Sequence, residues 1–282
     1  MTLKLEVVRP EAGDWRGFLA VAGEAGWRVP VTELNLFRVA LANGALALRC
    51  NGGFAGLVTF VHHGASAWIG NLIVRPDLRG LGLGKRLLQL ALARLQKKQA
   101  VSVWLTASDA GFCLYQRRGF DTVGRVERWV RSGGGDGLLC GSTRDLVSEG
   151  DGRTADALRK ADARAWGGRR LLLDLLLGSG RPFACGSSTA LLQREPGMQV
   201  LGPWFADGAG ENDHRRLLTM AVAAANVGEE LVADVLAGVL PAQVFEEAGF
   251  ILQGSTRLMV RGNTPGIDLS RMVSFASLGS MG

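Results

Sequence analysis

The chain has 282 residues, 47% of them hydrophobic and 21% charged, which is the composition of a globular protein at the usual length of two domains. Its net charge of +6 suits an anionic ligand, but the lysines and arginines are scattered rather than blocked, so nucleic-acid binding is not expected. No apolar run reaches the roughly 18 residues of a membrane helix and no signal peptide precedes Leu3, so a soluble, cytoplasmic protein is expected. The four cysteines (Cys50, Cys113, Cys140, Cys185) stand far apart without metal-type pairing, which points to reduced thiols and no metal site.

Taken in chain order, alternation predicts a strand at Leu3–Val8. Helical spacing follows at about Trp15–Ala25 and Val31–Ala42. Strands are expected near Leu46–Cys50, Phe54–His62 and Ala67–Val74. A glycine-rich turn then leads into a helix at Arg86–Gln96, a strand at Val101–Leu105, a helix within Thr106–Arg118 and a strand near Asp121–Arg131. An antiparallel meander followed by β-α-β-α-β predicts an α+β fold, a mixed α/β sheet flanked by helices. The clearest linker is Ser132–Gly137, which divides the chain into 1–132 and 138–282.

The most informative stretch is Val74-Arg75-Pro76-Asp77-Leu78-Arg79-Gly80-Leu81-Gly82-Leu83-Gly84-Lys85. A strand that empties into a glycine turn and a helix start builds an anion site. Glycines permit close backbone approach, their N–H groups point at the ligand, and the helix dipole favours negative charge. Arg79 and Lys85 add cations suited to phosphate oxygens. A P-loop would need a hydroxyl after Gly84-Lys85, where Arg86 stands, and a dinucleotide fingerprint would need a different final glycine spacing.

What the stretch does match is Val-x-Pro followed by Arg-x-x-Gly-x-Gly (Val74, Pro76, Arg79, Gly82, Gly84), which resembles the acyl-CoA loop of the GNAT superfamily of N-acetyltransferases. The block Ser108–Phe120, ending in Tyr115-x-x-x-Gly119-Phe120, resembles that family's second landmark. Ser108 or Asp109 is a plausible N-cap, Gly119 a C-terminal stop, and Phe112 and Tyr115 share a helix face.

The resemblance implies acetyl-CoA as donor and a primary amine of a small molecule or peptide as acceptor. The pantetheine arm would lie alongside Leu72, Ile73 and Val74, with the Val74 N–H as oxyanion donor. Arg79, Gly80, Leu81, Gly82, Leu83, Gly84 and Lys85 would hold the pyrophosphate, and Ser108 would flank the cofactor arm. Tyr115, the chain's only tyrosine, would protonate the departing thiolate; the alternative is simple packing against Phe112. No general base is legible. Asn71 stands where many relatives carry a carboxylate, Glu24 and Glu33 read as a solvated helix face, and His62-His63 mark a strand end or turn. A non-catalytic acyl-CoA sensor is the alternative function, and a homodimer is left open.

The second half echoes the first. Gly119-Phe120 recurs as Gly249-Phe250, and the same offset pairs Tyr115 with Phe245, Gly124 with Gly254 and Val130-Arg131 with Val260-Arg261. At that offset Arg79, Gly82 and Gly84 become Ala209, Asn212 and His214, so the loop is lost and His214 is expected on a helix surface. The second half resembles the degenerate C-terminal domain of tandem GNAT proteins, which gives one donor site per chain.

Overall fold

The computed structural model describes residues 4–133 and 152–282. The greater part of the expected linker, from Gly134 to Gly137, and Cys140 lie outside the described residues. Two compact units form, and neither is a continuous half of the chain. The first comprises Met1–Thr122, Met259–Asn263 and Leu278–Gly282; the second comprises Val123–Leu258 and Thr264–Ser277.

The first unit begins with β1 (Leu5–Val8), α1 (Ala12–Glu24), α2 (Val31–Arg38), β2 (Ala45–Cys50), β3 (Gly53–His63) and β4 (Ser66–Val74). It continues through a 3-10 turn at Pro76–Leu78, α3 (Leu83–Lys97), β5 (Ser102–Ala107) and α4 (Asp109–Gln116). The strands are ordered β1-β2-β3-β4-β5, antiparallel up to β4 and parallel between β4 and β5. Helix α2 stops four residues before the expected Ala42. There Phe60 N donates to Gly44 O at 2.6 Å, and a Cβ on Gly44 would lie 2.4 Å from the Phe60 carbonyl, so the chain must turn tightly to start β2.

Helix α3 buries Leu87, Leu88, Ala91 and Leu95, whose spacing makes one apolar stripe. The stripe covers Ala67 and Ile69 of β4 and Val103, Leu105 and Ala107 of β5 in a single core cluster. Side chains alternate across a strand, so Trp68 and Gly70 of β4 and Trp104 and Thr106 of β5 face the other way.

The second unit takes up β6 (Asp121–Arg131) from Val123, then α5 (Gly152–Trp166), α6 (Leu171–Leu177), β7 (Arg181–Cys185), β8 (Ser188–Glu195) and β9 (Met198–Ala206). There follow α7 (Glu211–Ala224), β10 (Glu230–Leu236), α8 (Ala242–Glu247), β11 (Ile251–Gly262) up to Leu258, and β12 (Met272–Ser274). Two helices, a three-strand meander, then helix, strand, helix and strand repeat the order seen from α1 to β6. Strand β10 runs parallel to β9 and antiparallel to β6, as Arg128 and Asp234 form a two-pronged pair at 2.7 Å.

His214 corrects the sequence expectation of a surface residue. It is buried on α7, with Nδ1 2.9 Å from Ser188 Oγ, while Trp204 Nε1 donates to the same hydroxyl at 2.8 Å. Burial holds its pKa below the ordinary imidazole value. A neutral ring sharing a buried hydroxyl is a structural network, in keeping with the rule that buried polar groups are paired.

Candidate active site

Three pieces of backbone geometry in the first unit converge. The first is a bulge. Leu57 pairs with Ile73 and Thr59 with Gly70, so β4 carries one residue more than β3 across that interval. Asn71 sits in the bulge with φ of 51°, a left-handed conformation that asparagine tolerates better than most residues. Its amide nitrogen is buried with no hydrogen-bond partner, an orphaned donor in this stretch of strand.

The second is a parting of strands. Strands β4 and β5 pair at Ser66–Ser102, Ala67–Val103 and Trp68–Trp104, and no further. Beyond that point no ladder pairing joins Gly70–Val74 to Leu105–Ala107, and the two strands part. Arg75 N donates to Ala55 O on β3 at 3.0 Å, so strand alternation turns the Val74 N–H to the opposite edge, away from β3. The Val74 carbonyl is tied by Arg79 Nε at 3.1 Å, which anchors the arginine at the end of the strand.

The third is the glycine turn. Gly80 and Gly82 have φ of 81° and 76°, and a Cβ at either would meet nothing within 4 Å. These glycines are therefore needed for backbone conformation, and the space above them is open. Gly82 caps α3 without a side-chain hydrogen bond, and the helix has no acidic residue in its first turn. A helix start leaves its first N–H groups without intrahelical partners and carries partial positive charge. Arg79 and Lys85 are exposed beside it. An open, unobstructed cradle of N–H groups with two cations fits a diphosphate.

Gly84 joins the pieces: a Cβ there would meet Leu72, Val74 and Leu114 at 3.6–3.8 Å, which places the end of β4, the turn and α4 together. Leu81 is exposed and Leu83 buried under the turn. Ser108 precedes α4 and is exposed, but its side chain makes no capping hydrogen bond. Tyr115 lies buried on α4 in the same core cluster as Val74 and Leu83, and it packs edge-on against Phe120 with ring centroids 6.0 Å apart. Its hydroxyl makes no hydrogen bond among the described residues, and burial pushes its pKa up to about 12. The phenol is thus fully protonated at neutral pH.

Other sequence candidates are sorted by their surroundings. Glu24 is exposed, as expected. Glu33 is not on a solvated face: it is buried, and Ser280 Oγ donates to its carboxylate. His62 and His63 end β3, with His63 Nε2 3.2 Å from the Met281 carbonyl. Sequence reasoning missed the segment Leu278–Gly282 altogether, since a five-residue run is too short to show a periodicity. Among the described residues no cluster of three or more histidine, cysteine or acidic side chains could hold a metal, and no helix is long and apolar enough to cross a membrane.

Comparison with known proteins places this geometry. Residues 34–122 match the acetyltransferase (GNAT) domain family. No curated protein matches the chain. Among solved structures, a protein from Pyrococcus horikoshii described as a candidate acetyltransferase is similar with a TM-score of 0.77 at 16% identity, over 97% of this chain and 94% of that one. A GCN5-related N-acetyltransferase from Sphaerobacter thermophilus gives 0.66 at 19%, over 95% and 99%. A GCN5-related N-acetyltransferase from Kribbella flavida gives 0.53 at 13%, over 99% and 83%. At these identities the structural likeness shows the fold. The family match over residues 34–122 spans the bulge, the parted strands and the glycine turn, and the structural likeness gives the chain the fold of these acetyltransferases.

Proposed function

We propose that the protein transfers an acetyl group from acetyl-CoA to a primary amine of a small molecule or peptide. The observation that carries this reading is the parting of β4 and β5 beyond Trp68–Trp104, at the end of the sheet where the glycine turn presents its N–H groups. A pantetheine arm could lie along the edge of β4 at Leu72, Ile73 and Val74 while the pyrophosphate sits on Gly80–Lys85. Arg79, already anchored on the Val74 carbonyl, has its remaining guanidinium donors for phosphate oxygens.

The chemistry then needs three things. The Val74 N–H, turned away from β3, would polarise the thioester carbonyl, and an oxyanion donor of this kind contributes about 3–4 kcal/mol. The amine, once deprotonated, attacks that carbonyl; the C–S bond breaks, and the leaving thiolate takes the proton of Tyr115. A phenol with its pKa at about 12 is protonated at neutral pH and ready for that step. The repeat of element order in the second unit, without the glycine turn, supports reading 138–282 as a degenerate GNAT-like domain beside a donor-binding domain at 1–132.

Thiol release from acetyl-CoA, screened across amines, amino acids, polyamines and peptide N-termini, tests the reading. Arg79→Ala should weaken CoA binding in calorimetry by about tenfold, the loss of one charge-assisted contact. Unchanged affinity would remove the turn from donor binding. The sensor reading draws on Asn71, an amide where a base would serve, and it predicts CoA binding without thiol release under any acceptor.

A further inference from the structure

The residues Leu278–Gly282 return to the first unit and lie against the face of β4 and β5 opposite α3. They have no regular structure, yet Ser280, Met281 and Gly282 are buried. Trp68 Nε1 donates to the Gly279 carbonyl at 3.1 Å, Ser280 Oγ donates to Glu33, and His63 holds the Met281 carbonyl. The approach is backbone to backbone at Gly70 and backbone to the Thr106 side chain at Gly279. A Cβ on Gly70 would lie 2.4 Å from Ser280 Cα, and a Cβ on Gly279 would lie 2.8 Å from Thr106 Oγ1.

Gly70 and Thr106 are the first residues on that face beyond the last paired residues, Trp68 and Trp104. Gly279 and Ser280 therefore bridge the two strands where their pairing ends. A thioester drawn along β4 from the glycine turn would point its acyl group at that point.

We propose that Gly279 and Ser280 form the stop of the acyl pocket and restrict the donor to a short acyl group. The inference rests on the CoA-binding reading above. Each methylene beyond acetyl would have to displace buried main chain, held by three hydrogen bonds, instead of water or a flexible side chain. Close packing of this kind resists added volume.

The test is calorimetry on the full chain with CoA, acetyl-CoA and hexanoyl-CoA. The parent should bind CoA and acetyl-CoA, with hexanoyl-CoA weaker by about 100-fold, the range in which packed pockets reject added methylenes. Two variants should shrink that penalty at least about tenfold with CoA affinity unchanged: a chain ending at Leu278, and Gly279→Ala. The second keeps the segment but strains φ of 105° and pushes against Thr106, so it serves if the shortened chain does not fold. Equal affinities for the two acyl-CoAs in the parent would overturn the stop, as would an undiminished penalty in folded variants. Failure of CoA itself to bind would instead overturn the donor reading on which the stop depends.

Discussion

Tyr115 is the only tyrosine in the chain, so its ionisation can be read without assignment. Burial raises its pKa from 10.0 to about 12. Each pKa unit is about 1.4 kcal/mol, so the folded state favours the neutral phenol by about 3 kcal/mol. The sign is fixed by linkage. Below pH 10 the phenol is protonated in both folded and unfolded chains, and the contribution is fully present. Between pH 10 and 12 the unfolded chain releases the proton while the folded one retains it, so stability falls by about 1.4 kcal/mol per pH unit. Urea melts of the parent and of Tyr115→Phe at steps through this window should diverge by that slope. Tyrosinate absorbance should rise with a midpoint near 12, and phenylalanine should abolish the rise. Since the hydroxyl has no hydrogen bond among the described residues, the phenylalanine variant should also be as stable as the parent at neutral pH, or more so. Turnover of the same variant should drop by about 10²-fold or more if the phenol protonates the thiolate. Parallel melts together with an ionisation midpoint near 10 would refute the burial argument. Undiminished turnover would leave Tyr115 as packing only.

Two further perturbations separate backbone from side-chain effects. Gly82→Ala places a Cβ in open space but at φ of 76°, so it should cost about 1–2 kcal/mol of folding stability and weaken CoA binding by displacing the turn, read by thermal melts and calorimetry. In the second unit Asp162 and Arg170 form a fully buried pair, with Arg170 Nε 3.0 Å from the carboxylate and its guanidinium stacked 4.4 Å over Trp166. Asp162→Ala would remove the carboxylate paired with the buried cation and should destabilise by about 3–5 kcal/mol in denaturant melts, whereas the same substitution at the exposed Asp156 should change little.

The glycine turn was legible because each of its residues answers a local demand. Gly80 and Gly82 need a positive φ, and the leucines of α3 fall on one stripe. Local demands leave local signatures. Glu33 and His214 were misread for the opposite reason: nothing near either residue announces that it is buried. Glu33 is covered by Ser280, 247 positions away, and His214 by Ser188 and Trp204. The bulge at Asn71 was also invisible, since only the register against β3 reveals an extra residue.

The composition of the first unit also governs when that unit can be finished. Met259–Asn263 and Leu278–Gly282 belong to its compact body, and the Glu33–Ser280 contact closes a loop of nearly the whole chain. Contacts of such sequence separation incur their closure entropy before they return any stabilisation. During synthesis, residues 4–122 can form β1 through α4 early. The face of β4 at Gly70, however, stays uncovered until Leu278–Gly282 have been made and packed back against it, so the first unit is completed late.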